Sequence, residues 1–278
     1  MSDGRQLARE FLEQQRVLGG EPVIMSDGPP ALGSPPGTPG SRPGSVNPHD
    51  TRTGLTPGAS SGKTKSPTSK ADTDLPLPGL SYDPPGGDLF SNDPVPQAAS
   101  LDAIAQLVAG CTKCRLCEGR RHTVPGEGAA DARLVVVGEG PGRVEDETGR
   151  PFVGPAGELL IKILGAIALP RERVFICNVV KCRPPENRLP QFDEIAACVP
   201  YLFRQIEIVK PKVILAMGGT AAQTMLNTKQ SLGALRNRVH RFRGIPVIVT
   251  YHPAALLRNP NWKKPTWDDV RIARRLID

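Results

Sequence analysis

Six cysteines are the residues whose spacing points most directly to chemistry. Cys111 and Cys114 form a CxxC pair, a spacing that brings two thiolates together on one turn in metal and cluster sites. Cys182 and Cys198 follow later in the chain, 16 residues apart. Four such thiolates could hold either zinc or a [4Fe–4S] cluster, and spacing alone does not decide between them. The wide second gap weakens the zinc-ribbon interpretation, because ribbon sites use two close pairs.

The remaining two cysteines carry weaker signals. Cys177 lies inside an apolar, β-branched run, where a buried free thiol is ordinary. Cys117 follows Cys114 by three residues and is either an alternative ligand or an idle neighbour. We expect it to be idle.

Two loops near the middle of the chain have residue types suited to holding a ligand. The GEGPG segment at 138–142 follows an apolar run, and its glycines let the backbone approach a bound group closely. Its proline interrupts a dinucleotide fingerprint, and the GK[ST] of a phosphate-binding P-loop is missing. The loop at 146–154 has Phe152 near its centre, either as a core residue or as a stacking platform for a base.

A third loop, at 252–260, follows the last apolar run. His252 opens it, and a lone histidine at such a position is more often structural than catalytic. Leu256, Leu257 and Arg258 come next, and apolar side chains beside a basic residue suit insertion into a DNA groove. The arginines and histidine between 236 and 243 are interpreted either as a solvated hairpin or as phosphate contacts.

Composition divides the chain into unlike parts. Residues 28–98 hold 15 of the 30 prolines and 11 of the 29 glycines, which predicts a disordered linker. Residues 1–98 carry 8 Lys and Arg against 11 Asp and Glu, whereas residues 99–278 carry 27 against 17. A domain with a net charge of +10 is either a merely soluble basic surface or a binder of a polyanion such as nucleic acid.

Short apolar runs alternate with helical patterns after the linker. The runs at 134–137, 174–180, 213–217 and 247–251 are typical of buried parallel strands. Helical segments are predicted at 101–109, 156–168, 193–209, 220–226 and 267–277. The alternation predicts an α/β fold, doubly wound in three layers around a central four-stranded parallel sheet. Ligands of such sheets bind beyond the carboxyl ends of the strands, where the three loops lie.

The sequence therefore predicts three regions. Residues 1–24 form a short N-terminal helix, either docked weakly on its own domain or binding a partner. Residues 25–98 are the disordered Pro/Gly/Ser-rich linker, and residues 99–278 are the working domain. No stretch reaches the roughly 20 apolar residues of a membrane span, and the N-terminus has no signal core, so a cytoplasmic location is expected.

Taken together, these motifs resemble the family 4 uracil-DNA glycosylases. The resemblance covers roughly residues 101–278 and leaves out the N-terminal 100. Its elements are the CxxC pair, GEGPG, TGRPFVGPAG at 148–157, CNVVKCRPPENRLP at 177–190, Cys198 and YHPAALLRNP at 251–260. Several long motifs in the right order make the match specific.

The resemblance implies a [4Fe–4S] cluster on Cys111, Cys114, Cys182 and Cys198, and a domain that hydrolyses the N-glycosidic bond of uracil in DNA. Phe152 would stack on the flipped uracil, and Asn178 would hydrogen-bond its edge. Glu139, with Gly138 and the backbone of Gly140, would line the pocket, and His252 would stabilise charge on the departing base. Leu256 or Leu257 would fill the gap in the duplex. The proposed DNA contacts also include Arg258 and Arg183.

The chain departs from the best-known uracil glycosylases in its first motif, which has Glu139 where they have an aspartate that orients water. It also lacks the basic histidine insertion of the relatives that trap uracil DNA covalently, so ordinary turnover is expected.

Two alternatives stay open: a broader glycosylase for deaminated bases, and a non-catalytic iron–sulfur protein that binds damaged DNA. The expected partners are uracil-containing DNA at the nucleoid and, through residues 1–24, a repair or replication protein, with the chain acting as a monomer.

Overall fold

The computed structural model describes residues 78–84 and 93–278. The predicted N-terminal helix and most of the predicted linker lie outside these residues. Seven described strands form one sheet: β1 (Pro78–Tyr82), β2 (Glu127–Gly128), β3 (Leu134–Gly138), β4 (Phe175–Asn178), β5 (Val213–Met217), β6 (Val239–Phe242) and β7 (Ile245–Thr250).

The sheet has the strand order β1-β6-β7-β5-β3-β4-β2. Strands β7, β5, β3 and β4 are parallel neighbours, which confirms the predicted central four-stranded parallel sheet. The sheet extends beyond that prediction on both sides. Strand β2 pairs antiparallel with β4, β6 pairs antiparallel with β7, and β1 closes the far edge parallel to β6.

The helices within the described residues are α1 (Leu101–Ala109), α2 (Leu116–Gly119), α3 (Arg143–Thr148), α4 (Pro155–Ala166), α5 (Phe192–Val209), α6 (Gly219–Leu226), α7 (Leu232–Leu235), α8 (Pro253–Arg258) and α9 (Lys263–Ile277). All five predicted helices are present, and the last begins four residues earlier than predicted. The other four are short turns of helix that periodicity does not reveal. In the part of the chain that the structure describes, no helix has both the length and the hydropathy needed to cross a bilayer.

Side chains of β3 alternate between two cores. Leu134 and Val136 are buried with residues of α4 and α9, while Val135 and Val137 are buried with residues of α1, α5 and α6. Helices therefore cover both faces of the sheet, as the doubly wound prediction requires. All five residues of β3 are buried, which explains its uninterrupted apolar sequence.

Part of the predicted linker belongs to the domain, which corrects the predicted domain boundary at residue 99. The backbone N–H of Leu80 donates to His240 Nδ1 at 2.8 Å, and His240 Nε2 bonds the Leu235 carbonyl at 2.7 Å. A Cβ at Gly79 would come within 2.4 Å of His240 Nδ1, so this close approach needs glycine. Val95 is also buried in the core. The Pro/Gly-rich composition of this segment does not predict these contacts, because they form with residues that are far away in the sequence.

Removing this segment is expected to destabilise the domain. A chain that begins at residue 99 loses β1 and Val95, and burying one valine side chain contributes about 1.5–3 kcal/mol. It should therefore unfold at a lower temperature than a chain that begins at residue 78, measured by differential scanning calorimetry. The chain that begins at 78 should match the full-length protein. Equal transition temperatures for both truncations would contradict the role of β1.

Candidate active site and cysteine cavity

The candidate pocket lies where the parallel strands end. Strand β3 ends at Gly138 and β4 ends at Asn178, and these two residues are register partners. His252 follows the last residue of β7 by two positions. Because carboxyl ends of parallel strands share one edge of the sheet, the structure brings the three predicted loops together there.

Gly138 separates an aromatic ring from an amide. A Cβ added at Gly138 would meet Asn178 Oδ1 at 2.4 Å and Phe152 Cζ at 2.6 Å. Asn178 is 1% exposed, and its Oδ1 finds no hydrogen-bond donor among the described residues. A buried acceptor without a donor costs free energy, about 1–3 kcal/mol, unless a ligand satisfies it. The site thus holds the edge of the Phe152 ring close to a buried acceptor that an N–H group of a ligand could satisfy.

The backbone at Phe152 is held in the left-handed region, with a φ of 51°. Its carbonyl accepts from Arg171 Nη1 at 3.0 Å. The carboxylate of Glu145 accepts from the backbone N–H groups of Val153 and Gly154 at 3.0 and 2.9 Å. These bonds fix a conformation that a bulky residue rarely adopts, and such strain commonly marks functional positions.

His252 forms the N-cap of α8. Its Nδ1 accepts from the backbone N–H of Ala254 at 3.2 Å, which assigns the ring proton to Nε2. The His252 ring lies 5.5 Å from the Phe152 ring, centroid to centroid. Burial, with a smaller contribution from the nearby Arg258, lowers the pKa of His252 to about 4, while Glu145 opposes the shift. The imidazole is therefore neutral at pH 7 and presents one N–H.

Glu139 lies at the start of the GEGPG loop. Its Oε2 accepts from the Thr220 hydroxyl at 2.6 Å, which ties the first loop to the first turn of α6. At the neighbouring Gly140, a Cβ would meet Val180 Cγ2 at 2.8 Å and Pro184 Cδ at 3.6 Å. The loop after β4 therefore borders the pocket as well.

Three residues that support the pocket were missed from the sequence: Glu145, Arg171 and Thr220. Each acts through a hydrogen bond to another loop rather than through a motif of its own. Thr220 opens the helix predicted at 220–226, just after the strand predicted at 213–217, which was the only signal. Glu145 and Arg171 lie outside the predicted loops and carry no motif of their own.

The four predicted cysteine ligands line one cavity together with Cys117. Cys182 and Cys198 are buried, and Cys111 and Cys114 are partly buried. Arg120 Nη1 donates to the Cys111 carbonyl at 2.7 Å and lies 3.4 Å from Cys182 Sγ. Donors aimed at sulfur suit thiolates, because hydrogen bonds to ligand sulfurs tune bound clusters.

The cavity gathers the four cysteines from three segments of the domain, namely the segment after α1, the loop after β4 and helix α5. Among the described residues, no three His, Cys, Asp or Glu side chains form a group that could hold a single metal ion. Cys177 is fully buried within β4 and does not line the cavity.

The structure separates the two leucines of the third loop. Leu256 is 1% exposed and Leu257 is 50% exposed. The prediction that names Leu256 as a DNA contact is therefore corrected, because this side chain is buried on helix α8, which contacts α4. Arg258 is exposed, and Arg183 is partly buried with its Nε donating to Asn187 Oδ1 at 2.8 Å.

The basic run at 236–243 is mainly structural. Arg236 pairs with the buried Asp269 at 2.8 Å and lies 4.4 Å from the Tyr251 ring centroid. Arg243 pairs with Glu207, and His240 is buried behind β1. Strands β6 and β7 do form a hairpin, but Arg236, His240 and Arg243 are engaged within the protein and are not freely solvated.

Comparisons with known proteins find similar sequences in the uracil DNA glycosylase superfamily. The model of the uracil DNA glycosylase superfamily matches residues 125–272. A type-4 uracil-DNA glycosylase of Thermotoga maritima is 49% identical over 181 residues, which cover 64% of this chain and 94% of the relative. One from Sulfurisphaera tokodaii is 45% identical, covering 64% and 84%. A type-5 enzyme of Pyrobaculum aerophilum is 31% identical, covering 48% and 66%.

Replacing each leucine by alanine is expected to separate their roles. Leu256→Ala should lower the free energy of unfolding by about 2–5 kcal/mol, because it leaves a cavity in the core. Leu257→Ala should change stability by less than about 0.5 kcal/mol, as exposed substitutions do. Urea unfolding measures both. If the two variants lost equal stability, the assignment of the buried leucine would be wrong.

Protonation of His252 is expected to destabilise the fold. The folded-state pKa of about 4 lies below the ordinary value of 6.5, so the unfolded chain binds the proton more readily between these values. The stability contributed by neutral His252 is present above pH 6.5 and is lost as the pH falls toward 4, by at most about 3 kcal/mol. The free energy of unfolding, measured with urea from pH 8 to 4, should decline less steeply for His252→Gln than for the parental protein. Equal declines for the two proteins would contradict the contribution of His252.

Proposed function

Because the chain belongs to the uracil DNA glycosylase superfamily, and within it to the type-4 uracil-DNA glycosylases, we propose that it removes uracil from DNA by hydrolysing the N-glycosidic bond. The product would be free uracil and an abasic site for base excision repair. The observation that carries this proposal is the buried, unpartnered Oδ1 of Asn178 beside the Phe152 ring.

Asn178 supports the choice of base. An acceptor at Oδ1 matches the N3–H of uracil, and the amide N–H₂ matches its O4 carbonyl. Cytosine has an acceptor at N3 and a donor at its exocyclic amine, so it would leave both bonds unmade. A site built around buried hydrogen bonds rejects a mismatched ligand strongly, because the unpaired groups keep their desolvation cost.

The base must leave the duplex before it can enter this pocket, at a cost of a few kcal/mol. Phe152 would offset part of that cost by stacking on the extruded ring. Leu257 would fill the space left in the stack, and Arg258 and Arg183 would contact the phosphates. The basic charge of the domain favours the same encounter.

His252 would assist bond cleavage by stabilising the uracil anion. Cleavage leaves negative charge on the base and positive charge on the sugar, and a preorganised donor aimed at the anion is usually the largest catalytic contribution. The neutral ring has its proton at Nε2 and can donate it as a hydrogen bond. Glu139, held by Thr220, would position the attacking water in place of the missing aspartate.

We propose that Cys111, Cys114, Cys182 and Cys198 bind a [4Fe–4S] cluster with a structural role. The four thiols line one cavity, and Arg120 supports it by bridging the cysteine segment and the loop after β4. The bound cluster would tie the start of the domain to the loop that borders the pocket. It would supply no chemistry to bond cleavage.

Other predicted partners remain predictions. Residues 1–24 lie outside the described part of the chain, and their proposed role is to recruit a repair or replication protein. Association with the nucleoid would follow from the DNA substrate, and a monomer suffices for the pocket described.

Release of free uracil from a single-uracil oligonucleotide tests the activity. Anaerobically purified protein should release it, and His252→Ala should be at least about 100-fold slower, the usual cost of removing an anion-stabilising donor. His122→Ala, which removes an exposed imidazole, should keep the parental rate. No release by the parental protein would contradict the proposal, and a panel with hypoxanthine would then test the broader lesion range.

Iron analysis of two cysteine variants tests the cofactor. Cys182→Ser should lose most of its iron and weaken DNA binding together with folding, because a ligand of the cluster is missing. Cys117→Ser should keep the parental iron content, since Cys117 is expected to be idle. A Cys182→Ser protein that stays folded, active and rich in iron would show that the ligand set is wrong.

A further inference from the structure

Lys181 is a lysine in the interior of the domain. It is 1% exposed and is among the largest fully buried side chains. Its Nζ donates to the main-chain carbonyl of Asn178 at 2.9 Å and to Gln205 Oε1 at 2.7 Å. Both partners are neutral, and no carboxylate within the described residues forms an ion pair with it.

An ammonium group in this setting is costly. Removing one ion from water costs several kcal/mol, and neutral acceptors repay only part of that. Lys181 also lines the cavity that the four cysteines surround. As thiols these cysteines carry no charge. Four cysteines that bind a metal group do so as thiolates, whose combined charge exceeds that of the [4Fe–4S] core, so the loaded cavity is negative.

The backbone of Lys181 lies against the cysteine cavity. Its N–H donates to Cys198 Sγ at 3.2 Å, and the next residue is Cys182. Its carbonyl accepts from the N–H of Val124 at 2.8 Å. One residue thus contacts a cluster ligand through its main chain and the base-reading residue through its side chain.

Gln205 extends the connection. Its Oε1 accepts from Lys181, and its Nε2 donates to the Pro125 carbonyl at 2.7 Å. Gln205 is itself buried, on helix α5. The chain of bonds from Pro125 through Gln205 and Lys181 to the Asn178 carbonyl leaves the end of β4 little freedom to shift.

We propose that Lys181 is a positioning residue that balances the negative charge held by the four cysteines and holds the main chain of Asn178 for reading the base. This inference rests on the proposed function and on the proposed cluster. The group bound by the cysteines would then affect base recognition through the side chain of Lys181. Loss of that group would leave the ammonium without its counter-charge and loosen the end of β4.

The test uses full-length protein with its cluster and three variants. Lys181→Met removes the charge and both donors, whereas Lys181→Gln removes the charge and keeps a donor. Gln205→Met keeps the charge and removes a neutral partner. The readouts are iron content, the reduction midpoint potential of the cluster, and kcat and KM for uracil release from an oligonucleotide.

Both neutral variants at Lys181 should shift the midpoint potential to more negative values, because a nearby positive charge stabilises the reduced form. Gln205→Met should leave the potential unchanged. Lys181→Met should lower kcat about 10-fold with little change in KM, since the duplex contacts lie elsewhere, and Lys181→Gln should restore part of that loss. If Lys181→Met does not fold, Lys181→Gln alone carries the test of the potential.

An unchanged potential in the neutral variants, at full iron content, would overturn the counter-charge role. An unchanged kcat in Lys181→Met would overturn the positioning role. The parental protein in the same assay keeps these outcomes distinct from failure of the proposed function. Parental release of uracil with no effect of Lys181 rejects this inference alone. A parental protein without iron rejects the cofactor and the counter-charge together.

Discussion

The pocket depends on the absence of a side chain at Gly138. Because this residue is the register partner of Asn178, any Cβ there would collide with both the Asn178 amide and the Phe152 ring. The parallel pairing of β3 and β4 therefore determines how closely the amide and the ring approach the end of β3. The surrounding loops hold the ring and the acceptor in place there.

Three features near the ends of β3 and β4 oppose folding. They are the Asn178 Oδ1, which has no donor among the described residues, the left-handed backbone of Phe152 and the buried side-chain nitrogen of Lys181. They persist because the sheet between two apolar cores supplies enough stability to hold them. A ligand that donates a hydrogen bond to the Asn178 Oδ1 would satisfy that acceptor and recover its cost.

Two supports of the pocket come from parts of the chain that share no motif. Glu145 holds the Phe152 loop by accepting two backbone N–H bonds, and Thr220 holds Glu139. Lys181 links the same region to the cysteine cavity. The pocket is therefore one part of a hydrogen-bonded framework that spans the carboxyl ends of β3, β4 and β5.

The sequence by itself determined the four central strands, because parallel strands buried on both faces must be continuously apolar. It also determined the loop motifs, the cysteine pair and the family.

Only the tertiary structure decided that β1 joins the sheet, since a glycine-rich segment becomes a strand there through its contact with the distant His240. It also decided which of Leu256 and Leu257 is buried, because neighbouring apolar residues on a six-residue helix carry no periodicity. The neutral state of His252 likewise depends on burial, a property of the packed domain that no single motif contains.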